Sequence, residues 1–492
     1  MSRPLSLLIL TALAVLAASL AGCGSDAAGK RSLALSECRL QGVAQAAQCG
    51  RLDVPEDRRK PEGRKVSLFV AVLPANTVTP KDDPLVILAG GPGQAASFLG
   101  PFAARLTELR RTRDVVLVDQ RGTGRSSPLT CAALRPREQD VFELDVLPRA
   151  RECVAELGGK GVDLAQYTTS AWIDDLEAMR AALGYARWNV WGGSYGTRVA
   201  QEYLRRHPER VRTLILDGVA PPAMIVPLDV WKTRAAALDA IFAACAASAA
   251  CAKAHPDVQG TLGRIERFLG PQGRNLVLVD PRTGTQENVH VTFDLVLGAL
   301  QPMTYTPETA TLLPEMLRLA AAGDLAPLFA ANPSLAGKFE EQMNPALHFS
   351  VVCAEDAPRI SSVAAQAALA GLPTARLALQ TLAVCDVWPR GTMPADFATP
   401  VKSDRPVLLL SGGMDPVTPP AYGTEVARAL PNSRHVIAPG YGHIVSPHAC
   451  GPRLIAAFVD AASVAALPAN CIGFLEKSVP PPPWPDRLSA QP

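Results

Sequence analysis

The chain of 492 residues has no long run of like charges, and 48 Lys and Arg stand against 46 Asp and Glu for a formal net charge of +2. A nucleic-acid or other polyanionic partner needs a basic face or block, and nothing here supplies one. None of the 11 cysteines forms a CxxC pair, which excludes zinc ribbons and thioredoxin-type redox sites. Internal repeats are missing, so the chain is not a repeat array. Low-complexity sequence is confined to the two ends. What remains is globular, with 48% hydrophobic residues, ample for a large core and for more than one compact unit.

The N-terminus has the form of a targeting segment. Arg3 precedes the apolar run "LSLLILTALAVLAASLAG", which is short for a membrane span and is followed at once by small polar residues. Its end, Leu20-Ala21-Gly22-Cys23, resembles the lipobox of bacterial lipoproteins. That resemblance implies a signal peptide over 1–22 and lipidation at Cys23. A plain secretory signal or an uncleaved anchor is the alternative. Gly24 stands where an aspartate would resemble an inner-membrane retention signal. This points to the outer membrane in a cell that has two. Setting Cys23 aside leaves an even set: Cys38, Cys49, Cys131, Cys153, Cys245, Cys251, Cys353, Cys385, Cys450 and Cys471. In an exported chain an even set implies disulfides. Pairing nearest neighbours (38–49, 131–153, 245–251, 353–385, 450–471) closes short local loops. A set of small buried thiols is the other possibility.

After a linker over 23–48, apolar strand-like runs alternate with helical segments from 49 to 220. "KVSLFVAVLPA", "PLVILAGGPG", "DVVLVDQRGTG", "RWNVWGGSYG" and "RVRTLILDGVAPP" have strand character. "SAWIDDLEAMRAALG" has helical spacing, with Ser170 or Asp174 available as a cap and Gly184 as a stop. This order predicts a mostly parallel sheet with helices on both faces. Between 221 and 395 the alternation gives way to Ala- and Leu-rich helical patches and one polar strand-like insert, "RNLVLVDPRTGTQENVHVTF". Strand–helix order returns over 396–472 with "RPVLLLSGGMDPVTPP" and "RHVIAPGYGHIV". These two strands would make a poor sheet alone, so the expectation is one α/β core interrupted by a helical insertion. The Pro-rich tail over 473–492 is expected to be extended.

Ser194 lies in Gly192-Gly193-Ser194-Tyr195-Gly196, a G-x-S-x-G between a strand and a helix. Such a serine takes a strained turn that lifts its hydroxyl above the sheet edge, with a helix N-terminus behind it. "LAGGPGQAA" follows an early strand, and its glycines let backbone amides face a substrate oxygen. Pro92 has no N–H, so Gly91 is the candidate oxyanion donor, with the Tyr195 amide as the second. A serine–acid–histidine chain order then points to Asp415, after the strand-like "LLLSGG", and to His443 in "GYGHIV". Asp217 and His448 are the rivals. His435 falls at a strand's start, on the wrong edge. Thr418 could bond to Asp415 or only stabilise its turn.

"GGPGQ", "DQRGTGRSS", "GGSYGT", "SGGMDPVTPP" and "GYGH" together resemble the proline iminopeptidase and tripeptidyl aminopeptidase group of α/β-hydrolases. Mycobacterial exported serine hydrolases called carboxylesterase A are similar. The resemblance runs from about Cys49 to Cys471. It implies an α/β-hydrolase fold with a helical cap, and cleavage of residues or short peptides from free N-termini. Proline iminopeptidases usually begin the oxyanion loop with histidine, and here that residue is Ala89. This departure favours the secreted tripeptidyl branch. Such exopeptidases need an anion for the substrate α-amino group. "VVCAEDAPR" offers Glu355 and Asp356 beside Cys353, provided that they face the cleft rather than form a solvated turn. Arg121 and Arg125 could hold a carboxylate or pair structurally.

The resulting expectation is an exported, lipid-anchored, monomeric serine peptidase whose partners are peptides with a free N-terminus. It needs no metal and no organic cofactor, and it touches the membrane only through its lipid. A carboxylesterase on acyl esters uses the same residues and is the first alternative. A non-catalytic envelope binding protein is the second.

Overall fold

A computed structural model describes residues 32–134, 146–279, 284–331 and 342–481. The expected signal peptide, the Cys23 lipidation site and most of the Pro-rich tail lie outside the described residues. The main sheet contains β1 (Ser36–Cys38), β2 (Ala47–Pro55), β3 (Lys65–Leu73), β4 (Leu85–Leu88), β5 (Val115–Val118), β6 (Trp188–Gly193) and β7 (Val211–Asp217). A hairpin of β8 (Arg274–Val279) and β9 (Gln286–Val291) stands apart, and β10 (Val407–Gly412) and β11 (Ser433–Ala438) complete the main sheet. Its order is β1-β2-β3-β5-β4-β6-β7-β10-β11. The pairs β1/β2, β2/β3 and β3/β5 are antiparallel. Every pairing from β5/β4 to β10/β11 is parallel. The loops that leave the parallel strands therefore gather along one edge, where open α/β sheets bind ligands.

The sheet begins earlier than the sequence suggests. β1 and the start of β2 fall inside the stretch read as a linker. β1 is only three residues long, and the mixed burial of β2, an antiparallel strand next to the edge, hides its alternation. The central strands β4, β5 and β6 are buried along their whole length, as a sheet covered on both faces requires. Side chains alternate between two cores. Val86 and Leu88 join the one packed by Ile173, Leu176 and Val199; Leu85 and Ile87 join the one packed by Phe102, Leu454 and Phe458. The helix Thr169–Ala182 is capped by Thr168, whose hydroxyl accepts from the Ala171 amide, rather than by Ser170 or Asp174.

Between β7 and β10 the chain builds a helical cap around its own apolar cluster, which includes Cys245, Ile265, Leu297 and Leu317. The polar strand-like insert forms the β8/β9 hairpin of this cap. The five disulfides join nearest neighbours: 38–49, 131–153, 245–251, 353–385 and 450–471, with Cα–Cα distances from 4.9 to 5.9 Å. Among the described residues, no helix is long and apolar enough to cross a membrane.

Candidate active site

Ser194 follows β6 directly and precedes the helix Tyr195–Arg206. Its backbone, at φ 56° and ψ −124°, lies where side chains are rarely tolerated. The flanking glycines make this turn possible. A Cβ on Gly192 would sit 2.3 Å from the Gly196 carbonyl oxygen, and one on Gly196 would sit 2.2 Å from that of Leu88. Ser194 holds the helix N-cap position, yet its side chain makes no capping bond. The hydroxyl instead lines a cavity above the sheet edge, in front of a helix N-terminus that favours negative charge.

His443 lines the same cavity. Its Nδ1 lies 2.8 Å from Asp415 Oδ2 and 3.3 Å from Thr418 Oγ1. Asp415 Oδ1 accepts from the amides of Val417 and Thr418, both at 2.8 Å, and Thr418 Oγ1 donates to Oδ2 at 2.8 Å. Burial alone would raise the Asp415 carboxyl. The neighbouring imidazole and these hydrogen bonds outweigh it and hold the group below its usual range. An ionised Asp415 on Nδ1 keeps that nitrogen protonated and leaves Nε2 as a proton acceptor. Just after β7, Gly218 has φ +67°, and a Cβ there would lie 3.0 Å from His443 Cε1, so a side chain would be strained and would press on the ring.

The rivals do other work. Asp217 is fully buried and accepts from the Val445 and Ser446 amides at 2.8 and 2.7 Å, which fixes the chain just after His443. Burial raises its carboxyl despite those bonds. His435 Nε2 pairs with Ser411 Oγ at 2.9 Å, and burial pushes the ring down to about 4. His448 packs against the Tyr441 ring, with centroids 5.7 Å apart.

The cavity has a volume of about 460 Å³. Gly91 lines it beside Ser194, while the preceding amide, Gly90 N–H, is taken by Gln94 Oε1 at 3.2 Å. The Gln94 side chain donates in turn to Gln342 Oε1 at 3.2 Å. Much of the wall is apolar and comes from both units, with Phe102 and Trp191 from the core and Val230, Trp231 and Met343 from the cap. A serine on a strained turn, an oriented imidazole and amides beside the serine suit acyl transfer.

The sequence profile of a family described as alpha/beta hydrolase fold matches residues 83–447, most of the chain. This protein belongs to the α/β-hydrolase family. Curated relatives include the serine protease Hip1 of Mycobacterium tuberculosis, 32% identical over 244 residues, or 44% of this chain and 46% of Hip1. The tripeptidyl aminopeptidase of Streptomyces lividans is 30% identical over 195 residues, 36% of either chain. A probable proline iminopeptidase of Streptomyces coelicolor is 36% identical over 141 residues, 29% of this chain and 34% of its own. The chain thus spans less than half the length of the curated relatives it matches.

The expectation that Glu355 and Asp356 hold a substrate amine needs correction, whereas the structural reading of Arg121 agrees with the structure. Glu355 and Asp356 do not face the cleft. Glu355 is 2% exposed; its carboxylate accepts from the Thr169 amide at 2.7 Å and the Thr169 hydroxyl at 3.0 Å. Asp356 is fully buried against Arg198 at 3.0 Å and Arg359 at 2.6 Å. Both acids end the helix Pro345–Glu355 and turn towards the core behind the cavity wall. Arg121 is also closed off, gripping Asp175 with Nε at 2.6 Å and Nη2 at 2.8 Å. Arg125 lies over the Phe69 ring at 4.7 Å. Asp119 ties the "DQRGTGR" loop together by accepting from Ser97 and Arg125 amides, so this motif is structural.

Sequence reasoning missed the cap side chains of the wall: Trp231, Arg234, Tyr305, Met343 and His348. Trp231, Arg234 and His348 lie on helices, Tyr305 ends a short helical turn, and Met343 forms an isolated bridge with Gln94, so none sits in a glycine motif of its own. The one available signal was Arg234, a lone arginine in the Ala-rich "WKTRAAALDA". Tyr305 anchors the histidine from above. Its carbonyl accepts from the His443 amide at 3.0 Å and its ring meets the imidazole edge-on at 5.4 Å.

Proposed function

We propose that this protein is an exported, lipid-anchored serine peptidase that releases short peptides from the N-terminal end of its substrates through an acyl-enzyme. The observation that carries the reaction class is the pairing of Asp415 with His443 beside a cavity that Ser194 also lines. His443 Nε2 takes the Ser194 proton as Oγ attacks the scissile carbonyl. The amides of Gly91 and Tyr195 stabilise the oxyanion. His443 then protonates the leaving amine, and a water deprotonated by the same nitrogen releases the acyl group. Peptides as substrates rest on the names of the relatives. Export is supported by five disulfides.

A carboxylesterase is the second reading, and one observation favours it: among the described residues, no carboxylate lines the cavity to hold an α-amino group. A fluorophosphonate probe tests the reaction class. Labelling of the wild type, lost in Ser194→Ala, is expected; labelling that survives the substitution overturns the assignment of Ser194. Tripeptidyl-aminocoumarins with free and acetylated N-termini, assayed beside nitrophenyl esters, separate the two readings. Turnover of esters alone discards the peptidase.

A further inference from the structure

Several buried arginines in this protein are paired with carboxylates, although Arg110 bonds the Pro74 carbonyl and Arg405 that of Pro208 instead. Arg121 has Asp175, Arg198 has Asp356, Arg113 has Asp83 and Arg180 has Glu177. Arg234 is different. It projects from the cap helix Val226–Ala247 into the wall of the Ser194 cavity. Its guanidinium donates from Nη2 to the Tyr305 hydroxyl at 2.8 Å and from Nη1 to Gln301 Oε1, two neutral acceptors. Nε is buried with no partner. Among the described residues, no Asp or Glu pairs with it, and none lines the cavity.

The group is nonetheless held in place. Its guanidinium carbon lies 5.5 Å from the Trp231 ring and 5.7 Å from the Tyr305 ring. The next residue back, Thr233, donates to the Val417 carbonyl in the loop that carries Asp415. Arg234 is thus set two contacts from His443, through Tyr305. A cation kept in a largely apolar wall without a counter-ion carries an uncompensated desolvation cost. A ligand that brings the missing negative charge removes that cost. The planar guanidinium suits a carboxylate in particular.

Resting on the hydrolase reading above, we propose that Arg234 is a specificity-determining residue, the cationic half of a subsite for a carboxylate carried by the substrate. The carboxylate can come from an acidic side chain on the acyl side or from the free C-terminus of a short leaving peptide. Two substrate series distinguish these sources. One compares peptidyl-aminocoumarins with Glu against Gln in each acyl-side position. The other compares short peptides with a free C-terminal carboxylate against their amides. Nitrophenyl hemisuccinate against nitrophenyl butyrate makes the same comparison if the enzyme is an esterase.

The wild type is expected to prefer the anionic member of at least one pair by about 10- to 100-fold in kcat/KM, mainly through KM. Arg234→Gln should collapse that ratio to within about threefold, while Arg234→Lys should keep part of it. The ratio is internal to each variant, so a general loss of activity does not imitate the effect. Equal use of both members in every series overturns the proposal, as does a preference that survives Arg234→Gln. Calorimetric binding of the same pairs to Ser194→Ala reads the subsite without turnover. If the fluorophosphonate probe fails to label the wild type, the hydrolase reading falls, and the calorimetric difference still decides Arg234.

Discussion

Ser194 is held in a conformation that most side chains avoid, and its hydroxyl is not spent on capping the helix that follows. The same economy marks Asp415, whose two oxygens have separate tasks. Oδ1 is fixed by two amides, and Oδ2 faces His443. This division predicts the outcome of Asp415→Asn. The Val417 and Thr418 amides need an acceptor, so the amide oxygen takes the Oδ1 place. The NH₂ group then meets His443 Nδ1 and drives the ring proton to Nε2, where it blocks removal of the Ser194 proton. A fall in kcat of about 10⁴-fold is expected, with the melting temperature little changed. Turnover within tenfold of wild type, measured by the same coumarin assay, would remove Asp415 from the proposed mechanism.

At the scale of elements, the helix Pro345–Glu355 joins cap to core. Asn344 at its start donates its amide to the Gly93 carbonyl at 2.9 Å. Glu355 at its end bonds to Thr169, whose hydroxyl lies 2.7 Å from that of Tyr195, next to Ser194. Burial pushes Glu355 up to about 7; Arg198, 3.8 Å away, and the Thr169 bonds offset this only in part. The folded state therefore keeps a proton on Glu355 between about pH 4.5 and 7 that the unfolded chain has lost. Stability from this site falls as pH rises through that window and stays low above it. Glu355→Gln cannot ionise and should remove this slope. Relative to wild type it should gain on the order of 2 kcal/mol between pH 5 and pH 8 in denaturant titrations. A wild type and variant with parallel pH profiles would show that Glu355 is ionised throughout. Legibility in the sequence follows the same division. The strands and the loops bearing Ser194, Gly91, Asp415 and His443 are legible because each couples a short apolar run to a glycine turn. The facing of Glu355 is not, since a helix end can turn either way and only the partner Thr169, 186 residues distant, decides it. Asp217 looks like a rival acid for a similar reason, as its amide partners lie 228 and 229 residues away. Arg234 leaves almost no trace, because its proposed role rests on a carboxylate that none of the described residues supplies.

For the whole molecule, the disulfides strengthen each unit but do not link them. Three lie outside the segment between β7 and β10 and two, Cys245–Cys251 and Cys353–Cys385, lie within it, the second packed into the same apolar cluster as Val86 and Leu176. Cap and core meet through non-covalent contacts such as Arg198 with Asp356, Thr169 with Glu355 and the His443 amide with Tyr305. The bridge Cys353–Cys385 closes a separation of 32 residues and ties the end of the helix that carries His348 and Glu355 to the turn Val384–Asp386. Its loss should cost up to about 4 kcal/mol by loop-closure entropy. Because Ser194, Asp415 and His443 all sit on core loops, that cost should fall on the cap wall first. In the double variant Cys353→Ser/Cys385→Ser, KM for peptides should rise several-fold while Ser194 keeps its fluorophosphonate labelling rate. If labelling slows in step with peptide turnover, the helix Pro345–Glu355 supports the elbow itself, through Thr169 and Tyr195, and cap and core cannot be separated in their contributions to the reaction.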